Sequence, residues 1–297
     1  MSDPKRPNVP RAMTIAGSDS GAGAGIQADL KTFAAFGVYG TSVVTAITAQ
    51  NTLGVIAVQS VDLSMISDQI DAVISDIGTD AVKIGMLASA DMVELVASKL
   101  TEHELGTVVL DPVMVATSGD RLMAVDAVDS LKESLLPLAS LVTPNLEETA
   151  VLTGHTVENL ADMKDAAMLI HAMGPRTVLI KGGHFAGDGF KPGMKGKMSD
   201  VLYDGVSFTI FTDDQIPTTN THGTGCTLSS AIAAGLSRGH PIPNAVADAK
   251  AYLTDTLRHS FPLGGGHGPV NHLFGWWTGD GAKGKGGATH SVTRESA

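Results

Sequence analysis

The segment 221–226 reads Thr-His-Gly-Thr-Gly-Cys and runs directly into a small-residue helical pattern. Glycines at the mouth of a helix let backbone N–H groups converge on an anion, and the helix dipole favours negative charge there. Cys226 is the one cysteine among 297 residues and falls in this first turn. The pattern therefore predicts a phosphate cradle at Gly223, Thr224 and Gly225, beside a thiol that a helix N-terminus can activate.

Two other interpretations of this turn remain open. Glycine-rich helix starts commonly serve backbone geometry and bind nothing. Alternatively, His222 activates Cys226 as a nucleophile, as in acyl-transfer enzymes. The sequence shows no acid near His222 that would orient its ring, although such a partner can lie far away in the chain. The nucleophile is therefore the weaker hypothesis.

A second glycine-rich segment, 17–25, follows the first predicted strand and opens a helix. It fits a dinucleotide fingerprint poorly because Ile26 stands where the third glycine belongs, and it lacks the Gly-Lys-Ser/Thr of a P-loop. Ordering so many glycines is costly without a reason, which favours close approach of the backbone to a small ligand. Asp29 then falls one turn into the helix, as a surface acid or a ligand contact.

Polar side chains follow four predicted strands where those strands end, namely Gln50, Asp111, Asn145 and Lys181. In open α/β sheets, ligands bind at the carboxyl ends of the strands. Gln50 offers both a donor and an acceptor, which suits a heterocycle edge bearing a ring nitrogen and an amine. Lys181 offers a point charge for a phosphate.

Asn145 and Glu148 lie three residues apart at a predicted helix start. This spacing sets two oxygen ligands one helical turn apart, which suits Mg²⁺ or its waters. Asn145 can also serve only as the cap of that helix.

The elements that must position these residues alternate between short β-branched runs and amphipathic helical stretches. The predicted strands are 13–16, 42–48, 55–61, 82–85, 108–110, 141–143 and 178–181, and the predicted helices are 26–36, 65–77, 90–100, 125–135, 147–152, 160–172, 224–237 and 244–259. This rhythm predicts a mostly parallel sheet with helices on both faces. The alternation of 201–210 around Asp204-Gly205 predicts a hairpin that adds an antiparallel edge.

The bulk composition narrows the function classes. A hydrophobic content of 43% with 17% charged residues fits a globular enzyme, and the net charge of −11 argues against non-specific nucleic-acid binding. No apolar run is long enough to span a membrane, and one cysteine is consistent with a reducing cytoplasm. The polar residues 279–297 predict a disordered tail, and no linker divides the chain into two domains.

Taken together, these motifs resemble the hydroxymethylpyrimidine/phosphomethylpyrimidine kinases of thiamine biosynthesis, within the ribokinase-like superfamily. The resemblance runs from about Ala12 to Trp277, after an N-terminal extension of residues 1–11. The segments that carry it are 14–19, 25–32, 48–52, 83–87, 111–114, 143–146, 181–184 and 221–226. It implies a three-layer α/β/α sandwich over residues 12–278, and a homodimer.

The resemblance also implies an activity and residue roles. The enzyme would use ATP and Mg²⁺ to phosphorylate 4-amino-5-hydroxymethyl-2-methylpyrimidine, and then its monophosphate. Gln50 would bind the aminopyrimidine edge. The residues around the ring would be Gly17, Asp29, Met86 and Val113. Asp111 and Glu148 would belong to the metal region, and Lys181, Asn145, Thr224 and Gly225 to the nucleotide phosphates. Cys226 stands where other superfamily members carry an aspartate base.

Two alternative functions and one departure accompany this expectation. Some relatives with this fold phosphorylate pyridoxal, whose aldehyde a cysteine could trap, and a non-catalytic pyrimidine-binding protein is the third possibility. The family usually has a glycine where this chain has Ala22. The added methyl group restricts the backbone of the glycine-rich loop.

Overall fold

The computed structural model describes residues 9–114, 122–182, 197–278 and 291–297. Ten strands in these ranges join one sheet, in the order β10-β9-β8-β7-β6-β5-β4-β1-β2-β3. The strands are β1 (Arg11–Asp19), β2 (Tyr39–Asn51), β3 (Gly54–Ser60), β4 (Ala81–Ile84), β5 (Val108–Leu110), β6 (Leu141–Val142), β7 (Val178–Ile180), β8 (Lys197–Tyr203), β9 (Ser207–Asp214) and β10 (Ser291–Ser296).

Nine α-helices occur in the described ranges. They are α1 (Gly25–Ala35), α2 (Leu63–Asp76), α3 (Ala90–Glu102), α4 (Val125–Ser130), α5 (Leu146–Thr153), α6 (Leu160–His171), α7 (Thr224–Ser237), α8 (Ile242–Arg258) and α9 (Phe274–Thr278). The helix predicted over 125–135 changes to a π-helical turn at Leu131–Leu135. In these parts of the chain, no helix has the length and apolar character needed to cross a membrane.

The sheet is parallel at its centre and antiparallel at both edges. Six central strands run parallel to one another, namely β2, β1, β4, β5, β6 and β7. At one edge β3 runs antiparallel to β2, and at the other β8, β9 and β10 each run antiparallel to the strand before them. The predicted hairpin at Asp204-Gly205 is confirmed. The Asp204 carboxylate accepts the backbone N–H groups of Val206 and Ser207 and so closes the turn.

Two hydrophobic clusters cover the two faces of the sheet. The first contains residues of α2, α3 and α6, including Ile66, Val96 and Met163. The second contains residues of α1, α7 and α8, including Phe33 and Ile232. Along the parallel strands, successive apolar side chains belong alternately to one cluster and to the other. This confirms the predicted α/β/α sandwich.

The β2–β3 connection departs from the predicted βαβα rhythm. β3 returns antiparallel to β2 through the turn that begins at Asn51, whose side chain accepts the Leu53 N–H at 2.8 Å. Strand periodicity does not distinguish a parallel from an antiparallel neighbour, so the sequence pattern left this hairpin unidentified. The hairpin extends the sheet beyond Gln50 and leaves most of β3 exposed.

The prediction of a disordered tail is wrong for Ser291–Ser296. These residues form β10, which pairs antiparallel with β9 in the register Val292 to Phe211. Strand addition at a sheet edge draws on backbone hydrogen bonds, which low apolar content does not prevent. The remaining tail residues, 279–290, lie outside the described residues.

A buried ion pair joins α1 to the sheet. The Lys83 ammonium lies 2.9 Å from both carboxylate oxygens of Asp29, and neither side chain is exposed to solvent. The Asp29 carboxylate also accepts the hydroxyl protons of Thr14 on β1 and Ser230 on α7, each at 2.6 Å. Burial is the largest single influence and lowers the pKa of Lys83, but the nearby negative charges, that of Asp29 above all, together outweigh burial and raise the pKa. Four elements therefore meet at one charged pair.

Removing one partner of this pair should destabilise the fold strongly. We expect Lys83→Met to lower the free energy of unfolding by about 3–5 kcal/mol, because the buried Asp29 carboxylate loses its counter-charge. The double variant Asp29→Asn/Lys83→Met should recover part of that loss. Urea denaturation measures both. Arg258→Met, which breaks the more exposed pair with Asp255, should cost under about 1 kcal/mol. Equal losses in the two single variants would contradict the assignment.

Candidate active site

A cavity of about 1040 Å³ opens along the carboxyl ends of the parallel strands. Twelve of the thirteen site residues predicted from the sequence line it. They are Gly17, Gln50, Met86, Asp111, Val113, Asn145, Glu148, Lys181, Gly223, Thr224, Gly225 and Cys226. Residues from distant parts of the chain therefore meet at one edge of the sheet, as expected if ligands bind at the carboxyl ends of the strands.

Asp29 is the predicted site residue that the structure keeps away from the cavity lining. It was expected among the residues around the substrate ring, but its side chain is fully buried and bound by Lys83, Thr14 and Ser230. Its carboxylate oxygens have these partners inside the protein because a buried carboxylate must be compensated. In this structure Asp29 supports the wall of the cavity from behind.

The turn predicted to be a phosphate cradle lies where residues 221–226 enter α7. Gly223 adopts φ +83°, in the left-handed region. A Cβ there would lie 1.8 Å from the carbonyl oxygen of Gly23, so glycine is needed for both the backbone angle and the close approach. The first N–H groups of α7 have no partner within the helix, and the residues that carry them, Thr224 to Cys226, line the cavity.

Lys181 lies between two carboxylates beside this cradle. Its ammonium is 2.9 Å from Asp111 Oδ1 and 3.9 Å from Glu148 Oε2. A Cβ on Gly225 would lie 3.5 Å from both Asp111 Oδ2 and the Lys181 ammonium, which places the α7 amides next to this cluster. Ser229 donates to Asp111 Oδ2 and fixes the carboxylate from the α7 side.

The charges of this cluster differ in how they respond to burial. Burial disfavours the ionised Asp111, but Lys181 and Lys83 outweigh it and lower the pKa of Asp111. Burial dominates at Glu148, and with the Asp111 charge it raises the Glu148 pKa to about 7. Burial lowers the pKa of Lys181, whereas the charges of Asp111 and Glu148 raise it. The net effect is a raised pKa. Asp111 and Lys181 are therefore ionised at neutral pH, and Glu148 is close to its midpoint.

Asn145 and Glu148 cap α5 reciprocally. The Asn145 side chain accepts the Glu148 N–H at 2.8 Å, and Glu148 Oε2 accepts the Asn145 N–H at 2.7 Å. This capping box is the structural alternative that the spacing had left open. It also holds the Glu148 carboxylate at the cavity wall near Lys181.

The opposite end of the cavity carries Gln50 and an apolar surface. The Gln50 backbone is fixed by Ser20, whose hydroxyl donates to the Gln50 carbonyl and accepts its N–H. The side-chain oxygen of Gln50 lies 3.2 Å from the Thr48 hydroxyl. Gly17 packs directly against Met86, since a Cβ on Gly17 would lie 2.7 Å from the Met86 methyl carbon. A flat ring with a polar edge matches this surface.

Cys226 is half-buried at the base of the cradle. Burial raises the pKa of its thiol to about 11, although Lys83 and a hydrogen bond from the Gly25 N–H act in the opposite direction. The neighbouring Asp29 and Asp111 charges add to the increase. The predicted lowering by the helix N-terminus is thus outweighed, and Cys226 is a neutral thiol at pH 7.

His222 has the acidic partner that the sequence did not reveal. Its Nε2 lies 2.8 Å from Asp19 Oδ2, across 203 residues of chain. Among the described residues, we find no hydrogen bond between His222 and Cys226. The histidine therefore interacts with the glycine-rich loop, which disfavours its role as the activator of a cysteine nucleophile.

The cavity is also lined by a lysine, Lys250, that the sequence analysis did not identify. Lys250 on α8 lies 2.6 Å from Asp200 and 3.0 Å from Asp213, and all three line the cavity. The other Asp200 oxygen accepts the N–H of Gly182, directly after Lys181. Lys250 sits in an ordinary amphipathic helix pattern, and so its sequence context carried no signal.

Comparisons with known proteins identify a kinase family. The profile of the family described as phosphomethylpyrimidine kinase matches residues 19–271. The chain is 50% identical to the hydroxymethylpyrimidine/phosphomethylpyrimidine kinase of Rhizobium meliloti, over 90% of this chain and 98% of that protein. It is also 50% identical to the thiamine biosynthesis bifunctional protein ThiED of Geobacter sulfurreducens, over 91% of this chain but only 54% of that longer protein.

Solved structures with the same fold include two kinds of vitamin kinase. The phosphomethylpyrimidine kinase of Clostridium difficile aligns with a TM-score of 0.72 at 42% identity, over 82% of this chain and 98% of that one. The pyridoxal kinase of Staphylococcus aureus, in complex with pyridoxal, aligns with a TM-score of 0.84 at 32% identity, over 97% and 100%. The match of the family profile across most of the chain, at a cavity with this residue set, shows that the protein belongs to the phosphomethylpyrimidine kinase family.

Proposed function

We propose that the protein transfers the γ-phosphoryl group of ATP first to 4-amino-5-hydroxymethyl-2-methylpyrimidine and then to its monophosphate, as a step of thiamine biosynthesis. The observation that carries this proposal is one cavity with a Gln50 edge at one end and the Gly223–Cys226 amides beside Lys181 at the other. Phosphoryl transfer needs mainly positioning and charge stabilisation, and this residue set supplies both.

The amides of the 223–226 turn and the Lys181 ammonium would hold the transferring phosphoryl group as charge spreads over its oxygens. Asp111 and Glu148 fit Mg²⁺ chemically, since both offer carboxylate oxygens at the cavity wall. The Asp111 and Glu148 carboxylates, which already contact Lys181, would hold the ion directly or through its waters. When bound, Mg²⁺ would neutralise phosphate charge.

Gln50 favours an aminopyrimidine over other rings. Its carboxamide presents a donor and an acceptor side by side, which matches an amine next to a ring nitrogen. Pyridoxal lacks that amine. The kinases of known structure that share this fold include pyridoxal kinases, so pyridoxal is the acceptor that must be compared directly.

The neutral thiol of Cys226 favours a role as a substrate-side contact. In a loose transition state the acceptor hydroxyl loses its proton late, so a resident thiolate base is not required. The enzyme would act in the cytoplasm, where ATP is available and Cys226 stays reduced.

The function is tested by incubating the protein with ATP and Mg²⁺ and one of three acceptors: the hydroxymethylpyrimidine, its monophosphate or pyridoxal. We expect the diphosphate to form from both pyrimidines, and pyridoxal to have a lower kcat/KM. Lys181→Met should reduce kcat by about 10²-fold or more, because it removes a phosphate cation. Faster turnover of pyridoxal, with no diphosphate product, would identify a vitamin B6 kinase instead. Absence of ATP turnover with every acceptor would indicate a binding protein.

A pair of glycine variants separates close approach from backbone strain. Gly223 and Gly239 have nearly equal φ, +83° and +81°, but only Gly223 has a neighbour within 4 Å of an added Cβ. Both Gly→Ala variants should cost about 1 kcal/mol of stability from the left-handed backbone. We expect Gly223→Ala alone to lose kcat as well, by 10²-fold or so, since the turn must move away from Gly23. Steady-state kinetics would contradict this if Gly223→Ala and Gly239→Ala were equally active.

The reactivity of Cys226 should follow its raised pKa. As the chain has one cysteine, alkylation by iodoacetamide reports on Cys226 alone, and Cys226→Ser is the blank. The thiolate is the reactive form, so the rate should be low at pH 7 and rise about tenfold per pH unit up to about pH 10. A plateau reached below pH 8 would instead reveal a stabilised thiolate, and would favour Cys226 as the general base that accepts the proton of the acceptor hydroxyl.

We also propose that two copies of the chain associate through the β2–β3 hairpin. Ile47, Leu53, Ile56 and Val58 are exposed apolar side chains of this hairpin, with Ile56 77% exposed. In the described part of the chain, β3 is the terminal strand at this edge of the sheet. Exposed apolar side chains on a terminal strand are typical of an association site, and a two-fold axis would cover the same hairpin on both copies.

A charged side chain placed on the β2–β3 hairpin should dissociate the proposed dimer. We expect Ile56→Glu to sediment as a monomer at micromolar concentration, while wild type sediments as a dimer, because a buried unpaired carboxylate opposes association. Val206→Glu is the matched control, since Val206 is equally exposed (76%) but lies on the β8–β9 turn, away from this hairpin. A monomeric wild type, or a dimeric Ile56→Glu, would overturn this assignment.

A further inference from the structure

Asp19, at the end of β1, binds four donors from two separate loops. Its Oδ1 accepts the Gly21 N–H at 2.8 Å, and its Oδ2 accepts the N–H groups of Gly23 and Ala24 at 3.0 and 2.9 Å. The fourth donor is His222 Nε2, 2.8 Å from Oδ2. Both side chains are buried, at 2% exposure for Asp19 and 7% for His222. A buried carboxylate that collects the amides of a loop fixes the shape of that loop.

His222 connects this loop to the phosphate cradle. It directly precedes Gly223, and its own N–H donates to the Gly268 carbonyl at 3.1 Å. Its ring fills the space beside Gly23, where an added Cβ would lie 2.3 Å from the His222 Cδ2. The ring therefore serves as a spacer as well as a hydrogen-bond donor between the two loops.

The two loops belong to different halves of the cavity. The glycine-rich loop carries Gly17 against the acceptor surface, and Ser20 fixes the backbone of Gln50. The 221–226 turn forms the phosphate cradle at the other end. The Asp19–His222 pair is thus the direct side-chain link between the residues that hold the acceptor and those that hold the phosphoryl group.

We propose that Asp19 and His222 are positioning residues that set the separation of the two half-sites. The proposal rests on the proposed kinase function, since the separation matters for in-line transfer between acceptor oxygen and phosphoryl group. A misplacement of about 1 Å can cost 10²-fold in rate without altering how either substrate is bound. The pair touches neither reacting atom in this assignment, and acts through the loops.

The kinetic test uses His222→Ala, His222→Gln and Asp19→Asn. We expect His222→Ala and Asp19→Asn to lower kcat by about 10- to 100-fold, with the KM for ATP changed by less than about threefold. His222→Gln should recover much of the rate, because its amide can still donate to Asp19. His240→Ala is the control: His240 pairs with Asp248 at 3.2 Å on the surface, and its loss should leave kcat unchanged.

A change confined to the KM values, or no recovery with glutamine beyond that of alanine, would overturn the positioning role. Loss of folding is measured separately by urea denaturation, and only variants that unfold cooperatively are compared. His222→Gln keeps a side chain of similar volume, so it remains informative where His222→Ala is unstable.

A double-mutant cycle tests the same contact without activity. Gly23→Ala alone should destabilise the protein because its methyl group meets the His222 ring. In the His222→Ala background that space is open, so Gly23→Ala should cost clearly less. Additive effects of the two substitutions on unfolding would overturn the spacer role. If wild type phosphorylated no acceptor, the proposed function would fail while this cycle still decided the contact between the loops.

Discussion

The buried Asp29–Lys83 ion pair is the interaction on which the rest of the site depends. Two charges in an apolar interior are stable only with full compensation, so each fixes the position of the other. Because Thr14 and Ser230 complete the carboxylate, the pair sets β1, α1, β4 and α7 in one arrangement. The start of α7 is the proposed phosphate cradle, and the end of β1 leads into the glycine-rich loop. The ion pair below the cavity therefore fixes where both loops begin.

Much of the fold was predictable because helices and strands with a buried face carry apolar residues at regular intervals in the sequence. The helix at Thr224–Ser237 and the strand at Val108–Leu110 were predicted with the bounds that the structure has. The strand-end rule placed Gln50, Asp111 and Lys181 at one edge without knowledge of any contact. The antiparallel β2–β3 hairpin and the β10 edge strand escaped because pairing direction and edge addition depend on backbone hydrogen bonds, which leave little trace in side-chain pattern.

The parts of the site that escaped prediction are those in which two distant polar residues compensate each other. Asp29 looked like a ligand contact from its place in the helix, and only Lys83, 54 residues away, converts it into a core residue. His222 lacked an orienting acid until the fold brought Asp19 to it. The cysteine pKa likewise depends on desolvation, which no local spacing encodes; the helix dipole that the sequence does encode proved the weaker effect.

An acidic protein that binds phosphates faces an electrostatic difficulty, and the cavity suggests how it is met. The net charge is −11, and the lysines on the phosphate side that the structure describes are already paired: Lys181 with Asp111 and Glu148, and Lys83 with Asp29. These described lysines therefore offer no excess positive charge to attract the anion. Backbone N–H groups at a helix start carry a fixed, oriented dipole and need no counter-ion, so the 223–226 amides can bind a phosphoryl group in a protein of this charge. How well these amides hold the phosphoryl group depends on the position of the turn, so the contacts that hold the turn, at Gly23, Asp19 and His222, matter to transfer alongside the charge of Lys181.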